Sequence, residues 1–416
     1  MDAQIKKRIL EIGVFLGIML LTFYALLRGQ NPGEILHAVL KMSPVCLLAA
    51  VLLALFYVCA EGSMIWYLLR AMRRTDYNLK ETREIRANLN TQRNCCVQVQ
   101  QERQDANQSA ETEEKMEEVK KRTDQRERFR RGKNENSGSS WLRCIQYSFI
   151  GFFYSGITPS ATGGQPVQLY YMNKDGNKGA DSTVVLMTVA VVYKFVLVLI
   201  GLGILLLWYH PLRMQLQKYF WLYLLGLVLN VVLVTVILGV MLFPGIMLKV
   251  EEKFEAVMIR LNLMKPSEER KKNVREFINS YQNAVNWLKI HPIHLLTVIG
   301  ITFLQRCSVF VLTYVVYRGF GLEGTTALKI ILLQASVYIA VDMLPLPGAQ
   351  GITELMYKAI FANIFTGMNL IPSMLVTRGL NFYFLLIVSL GVAVYAHVHS
   401  GRLQNDSHGQ ASHRLY

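Results

Sequence analysis

The sequence predicts an all-α polytopic membrane protein: about six full spans plus two re-entrant helical hairpins broken by Gly and Pro. Three observations carry this. The chain of 416 residues is 52% hydrophobic with a mean hydropathy of +0.27. Six apolar runs reach the length of about 20 residues that crosses a bilayer core: Ile9–Leu27, Val45–Leu69, Thr183–Trp208, Trp221–Phe243, Ile293–Tyr317 and Pro372–Ala396. Two shorter apolar stretches, Trp141–Ile157 and Ala327–Leu344, end in Gly/Pro-rich breaks.

Charge placement orients the spans. Lys6, Lys7 and Arg8 precede the first run and put the N-terminus in the cytoplasm, as an uncleaved anchor. Arg70, Arg73 and Arg74 follow the second run, and the stretch Met247–His291 carries nine Lys or Arg, so both read as cytoplasmic. Within that stretch Phe254, Val257, Met258 and Leu261 fall at i, i+3, i+4 and i+7, which reads as an amphipathic helix on the inner leaflet. The net charge of +15 therefore reads as span orientation and contact with anionic headgroups, not nucleic-acid binding.

These features divide the chain into 1–78 (two spans), 79–140 (a polar insert) and 141–210 (first hairpin and third span). The remainder divides into a fourth span at 211–246, an amphipathic segment at 247–291, a block at 292–400 (fifth span, second hairpin, last span) and a tail at 401–416. The insert holds 14 Lys or Arg against 12 Asp or Glu and no Pro, so it reads as a solvated cytoplasmic spacer, helical in part.

The two breaks are the informative segments. One reads Gly156-Ile157-Thr158-Pro159-Ser160-Ala161-Thr162-Gly163-Gly164-Gln165-Pro166. The other runs from Met343 through Pro345, Pro347, Gly348, Gln350 and Gly351 to Glu354. Proline cannot continue a helix and glycine permits a sharp reversal. Irregular backbone at membrane depth survives only where it is buried in protein or lines water. With one hairpin entering from each side, span-span-hairpin-span occurs twice in opposite orientation and both termini end inside. Such inverted-topology repeats carry their substrate site where the broken helices meet.

Ionisable groups in apolar runs cost at least ~2.5–3.5 kcal/mol each and so face a partner or a cavity. The candidates are Glu61, Lys194, Arg306, Asp342, Glu354 and Arg378. Arg378 and Asn381 are three apart on one α-helical face. Glu354 follows the second break, where a carboxylate also serves as a simple helix cap. Glu61 and Lys194 also read as an internal pair or as interfacial snorkelling positions. Arginine offers phosphate a planar fork, and the hydroxyls of Thr158, Ser160 and Thr162 with free backbone N–H groups offer the same at the first break. His291 with His294, and His397 with His399, sit at span ends and read as interfacial. Gly13 and Gly17 form a small-residue contact face. The six cysteines have no metal spacing, no phosphate-binding loop is present, and no cofactor is expected.

The string Thr158 to Gln168, Thr-Pro-Ser-Ala-Thr-Gly-Gly-Gln-Pro-Val-Gln, followed by Tyr170-Tyr171-Met172, resembles a signature of a known family. That family is the membrane region of bacterial lysylphosphatidylglycerol synthase, the multiple peptide resistance factor, and its stand-alone relatives. Pro345 to Glu354 resembles its second motif, Pro-x-Pro-Gly-x-x-Gly-x-x-Glu, with Ala349 in place of a frequent second Gly. The resemblance covers nearly all of the chain outside 79–140. It implies a flippase region in a bacterial inner membrane, moving lysyl-phosphatidylglycerol or phosphatidylglycerol between leaflets. It also implies a homodimer and a separate aminoacyl or glycosyl transferase as partners, since no transferase domain is expected here. The site it and the residues imply comprises Thr158, Pro159, Ser160, Thr162, Gly163, Gly164, Gln165, Gln168, Arg306, Pro345, Pro347, Gly348, Gln350, Gly351, Glu354, Arg378 and Asn381. The alternatives are a polyprenyl-phosphate carrier, a membrane lipid-modifying transferase using Glu354 or Asp342 as base, and a scaffold acting through the insert.

Overall fold

The computed structural model describes the backbone of residues 39–102, 140–158, 161–243, 268–365 and 369–412, with Gly33 and His37. Side chains are described within these limits except at 76–102, 268–273, 347 and 399–412. The described chain is helical, without strands. Two units divide it, Trp66–Ser140 and the remainder.

Helix α1, Pro44–Glu102, is followed by α2, Trp141–Ile157, and α3, Gly164–Lys174. Then come α4, Gly179–Leu207, a short α5, Tyr209–Leu216, and α6, Phe220–Leu242. The second half has α7, Glu268–Ile290, α8, Pro292–Gly319, α9, Ala327–Val341, α10, Ile352–Phe361, α11, Leu370–Arg378, and α12, Leu385–Ser412. Between α11 and α12 the backbone is π-helical over Gly379–Phe384.

Five stretches among the described residues are long and apolar enough to cross a bilayer: Pro44–Thr75, Gly179–Leu207, Tyr209–Leu242, Pro292–Gly319 and Leu370–Val398. They coincide with five of the six expected runs. The other, Ile9–Leu27, lies outside the described residues, as do Gly13 and Gly17. Each stretch divides its surface between protein and lipid. On α6, Val228, Val232 and Val236 repeat at i, i+4 and i+8 and are exposed, whereas Tyr223, Leu227 and Asn230 are buried.

Close helix contacts form where glycine removes a side chain. A Cβ on Gly226 of α6 would lie 2.3 Å from the Ile339 carbonyl oxygen of α9. One on Gly62 of α1 would lie 2.5 Å from Ile145 Cα of α2. The Tyr223 hydroxyl donates to the Gly201 carbonyl of α4 at 2.6 Å, tying α6 to α4. Helix α9 is buried on nearly every side, from Ile330 to Val341, and packs on α4, α6, α8 and α10. It is the centre of the unit.

Both expected hairpins form as helix, break and shorter helix folded back on the first, α2 with α3 and α9 with α10. At the α2/α3 contact a Cβ on Gly164 would meet Ser155 Oγ at 2.0 Å. The base of this hairpin is closed by Arg143, whose Nε and Nη2 donate to Asp175 at 2.6 and 2.8 Å, and by Tyr147, which also donates to Asp175. Burial raises the Asp175 carboxyl, but these donors outweigh it and hold it below the usual carboxylate range.

Helix α7 lies within the segment 247–291. Its stripe of Ile278, Tyr281, Ala284, Val285 and Leu288 is buried, and the helix packs on α4 and α8. A protein face covers the apolar stripe, so no lipid contact is needed to satisfy it. Phe254, Val257, Met258 and Leu261 lie outside the described residues. At the α7–α8 junction His291 and His294 both stack on Trp287, with centroids 5.0 and 5.2 Å away.

The second unit, Trp66–Ser140, continues α1 as helix to Glu102. Within it the Arg70 guanidinium lies 4.9 Å over the Trp66 ring. Residues 103–139 of the polar insert lie outside the described residues.

Candidate functional site

The first break closes on its own side chains. Thr158 Oγ1 donates to the Tyr154 carbonyl at 2.7 Å and accepts the Gly163 N–H at 2.9 Å. Its hydroxyl therefore finishes α2 and starts the return, as Ser and Thr do at helix ends. Ala161 sits at φ +56°, the left-handed region that makes the reversal. Pro159 and Ser160 lie outside the described residues. Thr162 and Gln165 are exposed, Gly163 is half-buried, and Gly164 is buried against Ser155. Gln168, one turn into α3, is buried and donates to Glu61 Oε1 of α1 at 2.7 Å. Gly151 permits this, since a Cβ there would lie 2.2 Å from Gln168 Nε2.

The second break is held by a carboxylate and a guanidinium. Gly348, Ala349 and Gly351 take φ of +58°, +49° and +83°. Glu354 Oε2 accepts the Gly351 N–H at 2.8 Å, and Oε1 accepts Arg378 Nε at 2.9 Å. Arg378 Nη2 donates to the Gly348 carbonyl at 2.9 Å. The capping role expected of Glu354 is thus present and is joined by a buried ion pair with α11. Pro345 is exposed. Pro347 opens the short 3-10 turn Pro347–Ala349. Gln350 is 2% exposed, and neither its Nε2 nor its Oε1 has a hydrogen-bond partner among the described residues.

Phe382 joins the end of α2, just before the first break, to the second break. A Cβ on Gly348 would stand 2.2 Å from its Cζ, and one on Gly156 would stand 3.6 Å from its Cε2. Its ring also lies under the Arg378 guanidinium at 5.0 Å. Phe382 belongs to the π-helical stretch, whose wider turn advances each residue by a smaller angle than an α-helix does. Asn381 is half-buried. The residue stacked beneath Arg378 is Phe382.

A third group surrounds Arg306 at the middle of α8. Arg306 is 1% exposed, with its guanidinium 3.9 Å from the Tyr193 ring centroid, 4.6 Å from Tyr57 and 5.8 Å from Tyr338. Its Nη1 reaches the Tyr338 hydroxyl at 3.5 Å, and its Nε has no partner. No carboxylate among the described residues forms an ion pair with it. Aromatic faces compensate a desolvated guanidinium by about 2 kcal/mol or more. The adjoining residues are fully engaged. Asp342, at the start of the second break, accepts Tyr193 Oη at 2.7 Å and is ion-paired with Lys194. Glu61 and Lys194 are therefore not paired with each other. Each binds a hairpin, Glu61 the first through Gln168 and Lys194 the second through Asp342.

Of the residues expected to form a site, the structure brings together Gly348, Gly351, Glu354 and Arg378. It places Gln168 and Arg306 with Glu61, Lys194 and Asp342 in a second group, and leaves Thr162, Gln165 and Pro345 on the outside. The tyrosine cage and Phe382 are absent from the expected set. Their only sequence signal is an aromatic inside an apolar run, which core packing also produces. Two surface clefts, about 260 Å³ beside Trp208 and Lys329 and about 130 Å³ beside Tyr281 and Lys289, include none of these residues.

Among curated proteins and solved structures no match is found. The pattern of the family described as "Lysylphosphatidylglycerol synthase TM region" matches residues 134–389, more than half of the chain, and takes in both breaks, Arg306 and Arg378. A chain of apolar helices whose two helix breaks fall inside that match belongs to the family of the lysylphosphatidylglycerol synthase membrane region.

Proposed function

We propose that this protein moves a phospholipid, such as phosphatidylglycerol or lysyl-phosphatidylglycerol, between the leaflets of a bacterial inner membrane. The carrying observation is that the end of α2, which leads into the first break, and the second break pack against one ring, with Gly156 and Gly348 both beside Phe382. In the proposed topology these breaks enter from opposite sides as re-entrant hairpins of an inverted repeat, which is where carriers place their site. Buried ionisable groups at that depth mark a substrate path. Here, among the described residues, Arg306 supplies a guanidinium with no carboxylate in contact, and Gln350 supplies an amide with no hydrogen-bond partner. A phosphate and its ester oxygens match those donors.

The transferase alternative needs a free base. Glu354 and Asp342 each have both oxygens engaged, the first by Gly351 and Arg378, the second by Tyr193 and Lys194. Neither is poised to accept a substrate proton. This favours the carrier reading over the enzyme.

The test is a scrambling assay in proteoliposomes with fluorescent phosphatidylglycerol, lysyl-phosphatidylglycerol and a polyprenyl phosphate in parallel. Translocation of a phospholipid above empty liposomes, reduced at least tenfold by Arg306→Met, supports the reading. Movement of the polyprenyl phosphate alone transfers it to the other carrier class. No movement of any of them removes it.

A further inference from the structure

Four ionisable side chains from four helices, Arg306 buried and the other three half-buried, stand around the Arg306 cage. They are Glu61 on α1, Lys194 on α4, Arg306 on α8 and Asp342 at the end of α9. Fully ionised, they comprise two cations and two carboxylates, so the group is neutral. Lys194 and Asp342 cancel each other directly. Arg306 and Glu61 cancel only at a distance, because no ion pair joins them. Arg306 is held by tyrosine rings, and Glu61 accepts from Gln168, a neutral amide.

The groups facing Glu61 can be named from each element packed against it. Helix α3 presents Gln168. Helix α2 presents Ser148, whose hydroxyl donates to the Val58 carbonyl. Helix α8 presents Arg306, and α1 itself presents Tyr57. Among the described residues Arg306 is thus the one full charge acting on Glu61, and of the two carboxylates Glu61 is the one without a cation in contact.

An anionic phosphate docking on Arg306 would leave this group with an excess negative charge in a low-dielectric interior. That excess is expensive and is removed most cheaply by neutralising the loosest carboxylate. Asp342 is held by Lys194 and Tyr193, so the loosest is Glu61. We propose that Glu61 takes up a proton when an anionic headgroup binds at Arg306, so that a lipid anion and a proton are carried together. The proton comes from solution onto a Glu61 oxygen, no other bond changes, and the pair crosses as a neutral unit. This rests on the carrier reading and adds to it the substrate's charge and its coupling ion.

The experiment uses the full chain in detergent, weakly buffered near neutral pH with an indicator dye, titrated with phosphatidylglycerol and separately with phosphatidylcholine. The expected result is uptake of about one proton per phosphatidylglycerol bound and none with zwitterionic phosphatidylcholine. Phosphatidylglycerol affinity should fall by about tenfold per pH unit where free Glu61 is ionised. Glu61→Gln is isosteric with the protonated acid and still accepts from Gln168, so it should bind phosphatidylglycerol with neither proton uptake nor pH dependence. Binding by the natural chain without proton uptake overturns the coupling and leaves the carrier reading in place. Proton uptake that survives Glu61→Gln, or loss of binding in that variant, overturns the assignment to Glu61. Failure of phosphatidylglycerol to bind at all overturns this coupling and counts against the lipid reading on which it rests.

Discussion

Glu354 and Arg378 grip the second helix break from two sides: the carboxylate caps the Gly351 N–H while the guanidinium donates to both that carboxylate and the Gly348 carbonyl. A short span of irregular backbone is thereby satisfied by one buried ion pair, with side chains 3% and 12% exposed. Backbone at membrane depth needs such partners because water does not reach it.

Removing either partner should therefore unfold the break. Arg378→Ala and Glu354→Ala each strand a buried charge, which costs about 3–5 kcal/mol. The double variant Glu354→Ala/Arg378→Ala should be less destabilised than the sum of the two, because neither charge is left alone. Thermal unfolding of the detergent-solubilised protein measures this, and additivity within error would disprove the coupling.

Gly348 should tolerate no side chain. Gly348→Ala places a Cβ 2.2 Å from Phe382 Cζ at φ +58°, adding overpacking of about 1–3 kcal/mol to a left-handed backbone penalty. Phe382→Leu in the same chain should recover the overpacking share and not the backbone share. A melting temperature for the pair no higher than that of Gly348→Ala alone would exclude the wedge.

Arg306 should behave oppositely to Arg378. No carboxylate among the described residues is in contact with it, so Arg306→Met should destabilise less than Arg378→Ala while abolishing lipid translocation. Arg306→Lys should also lose activity, because an ammonium cannot stack flat between two rings. Measuring melting and scrambling on the same preparations separates the roles. A large stability loss in Arg306→Met would reassign the residue to the scaffold.

Acid should weaken the base of the first hairpin. The Asp175 carboxyl is held low in the folded protein, so its stabilisation is complete above the unfolded value of about 3.9. It is lost as pH falls below that value through the lower folded one. The melting temperature of Asp175→Asn should accordingly fall less steeply with acid than that of the natural chain. Parallel acid limbs for the two proteins would contradict this.

The spans were legible because each repeats apolar residues over a length nothing else requires. Pro44–Thr75 and Gly179–Leu207 fall on the expected runs within a few residues. Both breaks were legible because proline and glycine act locally, at Pro345, Gly348 and Gly351. Partnership across the chain was not legible. Lys194 and Asp342 are 148 residues apart and Glu61 and Gln168 are 107 apart, and no spacing rule connects either pair. The tyrosines around Arg306 were hidden for a further reason, since an aromatic in an apolar run packs equally well as core. Phe382 beneath Arg378 was hidden because a π-helical turn leaves no local signature.

That widened turn has a mechanical meaning. Changing Gly379–Phe384 from π to α geometry would rotate α12 by about 100° and slide it by roughly 1.5 Å. The ring plugging the junction of the two hairpins lies within this stretch. Such a change of turn would carry the last apolar rod and the Phe382 ring together.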